Sequence, residues 1–368
     1  YLPSFLPYVI RLHSGFTQSH YIFISQLASR FQTMSASTNG EKKAVKVPSC
    51  IKDGWFSEIE PTWPGQKLSM ALEGFSTDSI LFNRTTDFQN ILVFRSSQHG
   101  HVMVLDGVVQ LTENDEFVYQ EMITHLPLMS HENPRHVLIV GGGDGAVLRE
   151  VCRHKCVESV TLVEIDSVVI DVAKEFFSET TATSFDDPRV TIVMEDAADF
   201  LLRQNESDRK GYDVIIADSS DPVGPAESLF DPAFYEQMYT SLNDGGIICA
   251  QGECFWTQPE LIENVVACCA DIFDAVEYAT TYVPTFPCGQ IGFVLAAKGT
   301  GVNLTKPVRE MDPVLAQGME WYTPEIHSAS FVLPKFLEDK LAPLRPEYNE
   351  DEDEDGGFDC FLQRCVIS

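Results

Sequence analysis

Two carboxylates three positions apart, Asp218 and Asp221, directly follow the apolar run 214–217. A run of that length and composition predicts a β-strand that is buried on both faces. Pro222 and Pro225 come next and remove two backbone donors from the following loop. Asp, Ser and Pro in this loop are also typical of a simple turn. Because open parallel sheets bind ligands at the carboxyl ends of their strands, the pattern favours a chemical role for the two aspartates.

A glycine-rich turn lies upstream at 141–146 and reads Gly-Gly-Gly-Asp-Gly-Ala. It follows an apolar run and precedes a helical pattern, which is the layout of a nucleotide-binding strand–turn–helix unit. Glu164 ends the next predicted strand, twenty positions after Asp144, where such folds hold a ribose. The glycine turn alone also fits a nicotinamide-dependent dehydrogenase, but that function leaves the loop after the strand at 214–217 unexplained. The three features together predict a nucleoside site beside Asp218.

The charge of the chain indicates which ligands it can attract. Its 368 residues include 55 Asp and Glu against 25 Lys and Arg, a net charge of -30. Such a charge disfavours binding to nucleic acid or to an anionic membrane surface and suits a polycationic ligand. No segment reaches the eighteen or so consecutive apolar residues that a membrane span needs. No Cys and His cluster has clear metal-ligand spacing, so we expect no metal site; Cys152 and Cys156 beside His154 are a weak candidate.

The elements that must hold these residues fall into five segments. We predict a disordered, targeting or upstream segment over 1–50 and an N-terminal β-sheet domain over 51–115. A catalytic α/β domain follows over 116–300, then a C-terminal extension packed on it over 301–345, and a disordered acidic tail over 346–368. The two carboxylates and the glycine turn therefore belong to one domain.

Short alternating runs in the N-terminal domain predict antiparallel strands at 66–72, 91–95, 101–105 and 108–111. Asp106-Gly107 predicts a two-residue hairpin turn between the last two. In the next domain strands alternate with helices, which predicts an α/β fold with a parallel, doubly wound sheet. A last pair of strands resembles the antiparallel edge hairpin of Rossmann-like methyltransferases. The predicted helices are 116–129, 147–154, 167–177, 197–203, 232–242, 259–273 and 331–341, and the strands are 137–140, 160–164, 190–194, 214–217, 246–250, 275–282 and 289–296.

These motifs resemble those of the spermidine synthase family, a group of polyamine aminopropyltransferases. The resemblance rests on the glycine turn with Asp144, on Glu164-Ile165-Asp166, on the segments 115–122 and 251–254, and on the loop that begins at Asp218. It extends from about residue 55 to about residue 341. It implies transfer of an aminopropyl group from decarboxylated S-adenosylmethionine, a co-substrate, to putrescine, without a prosthetic group. It also implies a homodimer.

The resemblance implies a role for each site residue. Asp218 would be the general base, because an amine with a pKa near 10.4 must lose a proton before it attacks carbon, at a cost of roughly 4.6 kcal/mol at neutral pH. Asp221 would hold an ammonium group of the diamine. The other implied residues are Tyr119, Trp63 and Phe286 around the acceptor, Gln89 and Gln120 near the aminopropyl or sulfonium end of the donor, Asp144 at the aminopropyl group, Glu164 at the ribose, and Asp196 with Ala197 at the adenine.

Two of these residues could instead have a purely structural role, and a third is supported by the resemblance alone. Asp196 also fits a simple helix cap, Tyr119 also fits a packing residue on a helix, and Gln89 is selected by the resemblance alone. Asp144, by contrast, has a selective role. Its charge would repel the carboxylate of intact S-adenosylmethionine and attract an aminopropyl ammonium, which predicts the decarboxylated donor.

One departure from the family bears on the acceptor. The family has Tyr in the Pro-Thr-Tyr-Pro segment, whereas Phe286 stands here. Loss of that hydroxyl removes a polar contact, typically about 0.5 to 1.5 kcal/mol, so synthesis of spermine or thermospermine from spermidine stays open. A putrescine N-methyltransferase is a further alternative, which Asp144 opposes. A non-catalytic nucleoside-binding subunit is another, which Asp218 and Asp221 together oppose.

Sequence features at both ends bear on the location of the protein. Residues 1–33 contain no acid and fit either a transit peptide or sequence upstream of a start at Met34. Residues 365–368 match a prenylation box at Cys365, but the preceding acidic residues and the weak hold of one lipid argue against anchoring. The ten cysteines have no disulfide-like spacing. We therefore expect a cytoplasmic protein.

Overall fold

The structure is a computed structural model of the chain, and it describes residues 45–58, 67–206, 211–219, 229 and 231–346. Several sequence predictions lie outside these residues. They are the upstream or targeting segment up to residue 44, Trp63, Asp221, the acidic tail from 347 onward and the prenylation box at Cys365.

The described residues of the N-terminal domain form two antiparallel sheets where the sequence predicted one. A three-stranded sheet is followed by a four-stranded meander, with strand orders β1-β2-β3 and β4-β5-β6-β7. Strands β1, β2 and β4 were not predicted, because two of them are only two or three residues long and β4 is polar at its exposed end. The strands are β1 (Ile51–Lys52), β2 (Trp55–Ser57), β3 (Ser69–Ala71), β4 (Ile80–Thr85), β5 (Asn90–Arg95), β6 (His101–Leu105) and β7 (Val108–Thr112).

The predicted hairpin turn at Asp106-Gly107 is confirmed. Both residues have positive φ, 47° and 89°, as the two central positions of a type I′ turn require. Leu105 pairs with Val108 across the turn. A glycine at the second position accepts this backbone without strain, which is why the dipeptide is a strong local signal.

Strand β5 is buried on both faces and joins the small sheets to the rest of the protein. Leu92 and Phe94 pack with Phe56 between the two sheets, and the rings of Phe56 and Phe94 lie 5.2 Å apart. Ile91 and Val93 face the opposite way, into the core of the α/β domain. Each such buried side chain stabilises the fold by about 1.5 to 3 kcal/mol.

The α/β domain confirms the predicted doubly wound sheet. Its strands run in the order β10-β9-β8-β11-β12-β14-β13. Strands β8 to β12 are parallel, and β14 is antiparallel to both of its neighbours, as the predicted edge hairpin requires. The elements are α1 (Glu116–Ser130), β8 (His136–Gly141), α2 (Ala146–Cys152), β9 (Ser159–Glu164), α3 (Ser167–Phe176), β10 (Val190–Met194), α4 (Ala197–Asn205), β11 (Tyr212–Asp218), α5 (Pro232–Ser241), β12 (Leu242–Gln251), α6 (Pro259–Ile272), β13 (Ala275–Thr281) and β14 (Ile291–Ala297).

Strand β8 shows why the sheet carries helices on both faces. Val137 and Ile139 pack into the cluster formed with α1, α2 and α3. Leu138 and Val140, which point the other way, pack into the cluster formed with α4, α5 and α6. All four side chains are buried, so the strand lacks polar alternation and reads as a continuous apolar run.

The strands that follow β8 are added to the sheet first on one side of β8 and then on the other. From β8 the chain adds β9 and β10 on one side, and then it returns to place β11 and β12 on the other. Asp218, the last residue of β11, pairs with Gly141, the last residue of β8. The predicted base and the glycine turn therefore meet at the topological switch point, where ligands bind in such sheets.

The C-terminal extension packs through three short helices, α7 (Pro313–Gln317), α8 (Pro324–Ser330) and α9 (Lys335–Leu341). The predicted helix over 331–341 is wrong for its first four residues, and α7 and α8 were not predicted. Glu121 on α1 anchors this extension, since its carboxylate accepts the backbone N–H groups of Glu320, Trp321 and Tyr322 at 2.7 to 2.9 Å.

Candidate active site

One cavity at the carboxyl edge of the sheet collects the predicted site residues. It lies between the ends of β8, β9 and β11, the start of α1, and strands β6 and β7 of the N-terminal domain. Every predicted site residue that the structure describes lines it: Gln89, Tyr119, Gln120, Asp144, Glu164, Asp196, Ala197, Asp218 and Phe286. Trp63 and Asp221 lie outside the described residues.

The glycine turn brings Asp218 close to the end of β8. A Cβ atom at Gly141 would lie 2.2 Å from the backbone oxygen of Asp218, and the φ of Gly141 is +75°. The N–H of Gly142 donates to the same oxygen at 3.1 Å. Glycine is required at 141 both for the left-handed backbone and for this approach.

Asp218 has the properties of a base that works near neutral pH. Burial raises its pKa to about 8, and the negative charges of Asp144 and Glu164 act in the same direction. The hydroxyl of Tyr119 donates to Oδ1 of Asp218 at 2.9 Å and opposes the rise in pKa. A carboxylate whose pKa lies close to the working pH is a more effective proton acceptor than one with a pKa near 3.9.

Tyr119 is fixed by an aromatic neighbour. Its ring is buried and stacks on the ring of Phe286, with centroids 5.4 Å apart and planes 18° apart. The stack orients the hydroxyl of Tyr119 toward Asp218. Tyr119 is therefore both a packing residue and a hydrogen-bond donor inside the cavity, and the wall beside it is apolar because Phe286 has no hydroxyl.

Asp144 faces the cavity from the glycine turn. Its Oδ1 accepts the N–H of Ala146 at 2.8 Å, and its backbone oxygen accepts the hydroxyl of Thr181 at 2.9 Å. Burial raises the pKa of Asp144, while the Ala146 N–H and the charge of Arg149 oppose that rise. Within the described part of the chain, no Lys or Arg forms an ion pair with Asp144 or Asp218. The cavity thus offers two acids to a cationic ligand.

Glu164 adds a third acid at the end of β9. Burial raises its pKa to about 7, although N–H groups of Asp166, Ile165 and Gly143 act against the rise. Its Oε1 accepts the N–H of Asp166 at 2.9 Å. A Cβ atom at Gly143 would lie 2.6 Å from Oε2, so the third glycine of the turn makes room for this carboxylate.

Gln89 reaches the cavity from the N-terminal domain. Its side-chain amide donates to Oδ2 of Asp166 at 3.2 Å, and the hydroxyl of Thr86 donates to the same atom at 2.7 Å. Asp166 also caps α3 through the N–H of Val168. Sequence analysis did not select Asp166 as a positioning residue, although its place directly before a helix was a visible capping signal.

Gln120 carries an unmatched buried acceptor. The residue is 3% exposed, and among the described residues its Oε1 has no hydrogen-bond partner. An unmatched buried polar atom costs about 1 to 3 kcal/mol, so a ligand donor is the natural partner for this oxygen.

Asp196 performs the alternative role that its sequence allowed and also lines the cavity. Its Oδ1 accepts the N–H groups of Ala198 and Asp199 at 2.9 and 3.2 Å, which caps α4. Ala197 follows as the first residue of that helix. Capping and ligand contact are compatible, because both cap bonds use one oxygen.

Two buried acids near the cavity were missed as site-positioning residues. Glu58 accepts the N–H of Leu68 at 2.7 Å and that of Val109 at 3.2 Å, and so ties the two small sheets together beneath the cavity. Asp115 accepts bonds from Thr285, whose side chain also lines the cavity. Neither could be recognised from spacing, because their partners are distant in sequence.

The described residues contain no group of three metal-ligating side chains and no helix long and apolar enough to cross a membrane. No disulfide bond forms among them. Burial raises the pKa of Cys152 to about 11, so this residue of the weak metal candidate holds a proton rather than presenting a thiolate.

Comparison with known proteins gives consistent matches over both parts of the fold. Residues 116–306 match the family model of the spermine/spermidine synthase domain, and residues 54–113 match that of the spermidine synthase tetramerisation domain. Spermidine synthase 2 of Arabidopsis thaliana is 47% identical over 302 residues, which cover 79% of this chain and 86% of that protein. The spermidine synthase of Dictyostelium discoideum is 47% identical over 292 residues, covering 79% of this chain and 98% of that protein. A crystal structure of a spermidine synthase in complex with the transition-state analogue AdoDATO superposes with a TM-score of 0.70 and 32% identity, covering 78% of this chain and 95% of that one.

Proposed function

The chain belongs to the family of spermine and spermidine synthases, and on that premise we propose that it is a spermidine synthase. It transfers the aminopropyl group of decarboxylated S-adenosylmethionine to putrescine and releases methylthioadenosine. The observation that carries this proposal is the Asp218–Tyr119 hydrogen bond beside the glycine turn, which supports a base next to a nucleoside site.

The reaction is a substitution at carbon. The amine nitrogen of putrescine forms a bond to the aminopropyl carbon that is attached to sulfur, the bond between that carbon and sulfur breaks, and the sulfonium becomes a neutral thioether. The proton that the nitrogen loses passes to Asp218. Because the sulfonium is a good leaving group, the chain has to supply positioning and proton removal.

The raised pKa of Asp218 makes this proton transfer less costly. With a pKa of about 8, the carboxylate lies about 2.4 units below the amine, a gap of roughly 3 kcal/mol. An unperturbed aspartate near 3.9 would face a gap of roughly 9 kcal/mol. The gap of roughly 3 kcal/mol is that of the ligand-free site. The cationic donor favours the ionised form of Asp218, so we expect donor binding to lower this pKa, to remove the proton of Asp218 and to widen the gap to the amine in part.

The donor is held by residues from both domains in this proposal. Glu164 binds the ribose hydroxyls, Asp196 and Ala197 contact the adenine, and Gln89 and Gln120 lie near the sulfonium. The unmatched Oε1 of Gln120 supports a contact with a cationic or N–H-bearing ligand. Asp144, which lies in the glycine turn without an ion-pair partner among the described residues, binds the aminopropyl ammonium and repels a carboxylate there.

The acceptor site uses Tyr119 and Phe286 as its described wall, with Trp63 and Asp221 proposed as further contacts from the family resemblance. Asp221 would hold one ammonium of the diamine. The apolar Phe286 favours a second candidate, in which spermidine is the acceptor and spermine or thermospermine is the product. Asp144 disfavours a putrescine N-methyltransferase, since that enzyme must admit the carboxylate of intact S-adenosylmethionine.

A competition experiment tests the proposed reaction. The protein is given decarboxylated S-adenosylmethionine with equal concentrations of putrescine and spermidine, and the products are identified by mass spectrometry. Spermidine and methylthioadenosine should form first. Spermine or thermospermine as the main product would transfer the assignment to the second candidate, and no thioether product with either amine would refute aminopropyl transfer.

The organisation of the protein is also a proposal. The match to a tetramerisation domain supports an oligomer, and we propose a homodimer built on the domains 51–115 and 116–300 with the extension 301–345. Light scattering of the full chain would show twice the monomer mass.

We further propose a cytoplasmic enzyme with an unmodified Cys365, which mass spectrometry of the native C-terminal peptide would test.

A further inference from the structure

We propose that Asp115 is a positioning residue for the acceptor side of the site. This inference rests on the proposed function. Asp115 fastens the loop that carries Phe286 to the start of α1 and thereby holds the stack of Phe286 on Tyr119. The hydrogen bonds that its carboxylate accepts from described residues come from Thr112 and Thr285, neither of which is assigned to the nucleoside.

Asp115 departs from the role that its place in the chain predicts. It is the residue directly before α1, where an aspartate side chain ordinarily accepts an N–H group of the first helical turn. In this structure the side chain makes no cap bond. A residue that gives up a helix cap for a partner distant in sequence breaks a local rule, as functional positions often do.

The distant partner is Thr285 in the connection between β13 and β14. The N–H of Thr285 donates to Oδ2 of Asp115 at 3.0 Å, and the Thr285 hydroxyl lies 2.8 Å from Oδ2 and 3.0 Å from Oδ1. Thr112 donates to Oδ1 at 2.6 Å from the opposite side. Asp115 is 5% exposed, so these bonds form in a water-poor environment, where they are strong.

The connection has turn hydrogen bonds of its own, from the N–H of Phe286 to Val283 and from the N–H of Gly289 to Phe286, but much of it is exposed, so the bonds to Asp115 help to hold it against α1. Tyr282, Pro284 and Cys288 are exposed, whereas Val283 and Thr285 are buried. Thr285 directly precedes Phe286, whose ring lies 5.4 Å from that of Tyr119. Tyr119 lies in the first turn of α1, four residues after Asp115.

These contacts form a chain from Asp115 to Asp218. Asp115 holds Thr285, Thr285 fixes Phe286, Phe286 packs on Tyr119, and Tyr119 donates to Asp218. Release of Thr285 therefore lets the acceptor wall move relative to the base. A shift of about 1 Å in a positioned reactant can lower the rate on the order of 100-fold.

The test compares four variants of the full chain. Asp115→Asn and Thr285→Val each remove part of the attachment. Thr112→Val removes a bond to the same carboxylate without touching the loop, and Thr285→Ser keeps the hydroxyl. We expect kcat/KM for putrescine to fall about 10-fold to 100-fold in the first two and to stay within about threefold of wild type in the last two. Affinity for methylthioadenosine should be unchanged in all four.

Hydrogen exchange provides a readout that does not depend on activity. The backbone amides of 283–289 should exchange faster in Asp115→Asn and Thr285→Val, and at the wild-type rate in Thr112→Val. Unchanged exchange and unchanged kcat/KM for putrescine in Thr285→Val would overturn the inference, even if Asp115→Asn failed to fold. An equal loss of methylthioadenosine binding would also overturn it, because the effect would then be general. A wild-type protein without any aminopropyl transfer would refute the proposed function, while the exchange result would still decide the role of Asp115.

Discussion

Among the described residues that shift the pKa of Asp218, the hydroxyl of Tyr119 opposes the rise, whereas burial and the charges of Asp144 and Glu164 cause it. Removing the hydroxyl in Tyr119→Phe should raise that pKa by about 0.5 to 1 unit, the equivalent of one hydrogen bond. A base is active when deprotonated, so kcat/KM for the donor rises with pH through the pKa of the free enzyme. We therefore expect the acid limb of that pH profile to move to higher pH.

The matched control is Tyr239→Phe, which also removes a tyrosine hydroxyl. Tyr239 lies on α5 and packs against Phe273, away from the cavity. The acid limb of this variant should coincide with that of the wild type. A Tyr119→Phe profile that coincides as well would contradict the coupling of Tyr119 to the ionisation of Asp218.

A second prediction for a single residue concerns Asp144. Asp144→Asn keeps an oxygen for the N–H of Ala146, so the glycine turn should persist. Removal of the charge should lower the preference for decarboxylated over intact S-adenosylmethionine by about tenfold or more, as one favourable and one repulsive ion contact are lost. Calorimetric affinities for both nucleosides give the ratio.

Glu164→Gln is the control for Asp144, because the contact proposed for Glu164 is with the ribose common to both nucleosides. It should weaken both to a similar degree and leave their ratio unchanged. A ratio in Asp144→Asn equal to the wild-type ratio would remove Asp144 from the selection of the donor.

At the scale of elements, the meeting of β8 and β11 depends on Gly141. Gly141→Ala places a Cβ atom 2.2 Å from the backbone oxygen of Asp218 and adds left-handed strain. We expect a loss of about 3 kcal/mol in the free energy of unfolding, from roughly 1–2 of backbone strain and 1–3 of overcrowding, together with lower activity.

Gly245→Ala separates strain from crowding. Gly245 has a similar φ of +79°, but a Cβ atom there would meet nothing within 4 Å. It should lose about 1 kcal/mol and keep full activity. Chemical denaturation of both variants checks the difference, and equal losses would show that the close approach to Asp218 is unimportant.

Long, buried elements were predictable from the sequence, and short ones were not. Helix α1, predicted at 116–129 and observed at Glu116–Ser130, is long and almost wholly buried. Strand β10 was predicted with its observed bounds, Val190–Met194, although it is a half-exposed edge strand, because β-branched residues dominate it. Strand β12 begins at Leu242 rather than at the predicted residue 246, since its first residues include Asn, Asp and two Gly and pair through a register shift. Helices α7 and α8 were missed because five to seven residues show no clear period, although Asp312 and Thr323 do cap them.

The site was predictable where it follows local rules. Asp144, Glu164 and Asp218 each end a strand or fill a glycine turn, so the topology alone brings them to one edge. Asp115 was not, because its partner Thr285 lies 170 positions away. Glu58 was missed for the same reason, since Val109 is 51 positions distant.

At the scale of the whole molecule, the net charge of -30 should draw cationic acceptors toward the protein. Salt screens this attraction, since the Debye length falls as ionic strength rises. We expect kcat/KM for putrescine to fall about tenfold between about 20 mM and about 300 mM salt, with kcat at saturation nearly constant. Affinity for the neutral product methylthioadenosine, the control, should hardly change. A kcat/KM independent of salt would show that the overall charge does not assist binding.

The role of Asp218 is the central claim, and Asp218→Asn tests it most directly because asparagine can still accept the bond from Tyr119. Methylthioadenosine affinity and single-turnover rates are measured on the same preparation. The affinity should stay within about threefold of wild type, while the rate of aminopropyl transfer should fall on the order of 100-fold to 10,000-fold, the contribution of a general base. A variant that transfers the aminopropyl group at the wild-type rate would contradict the account.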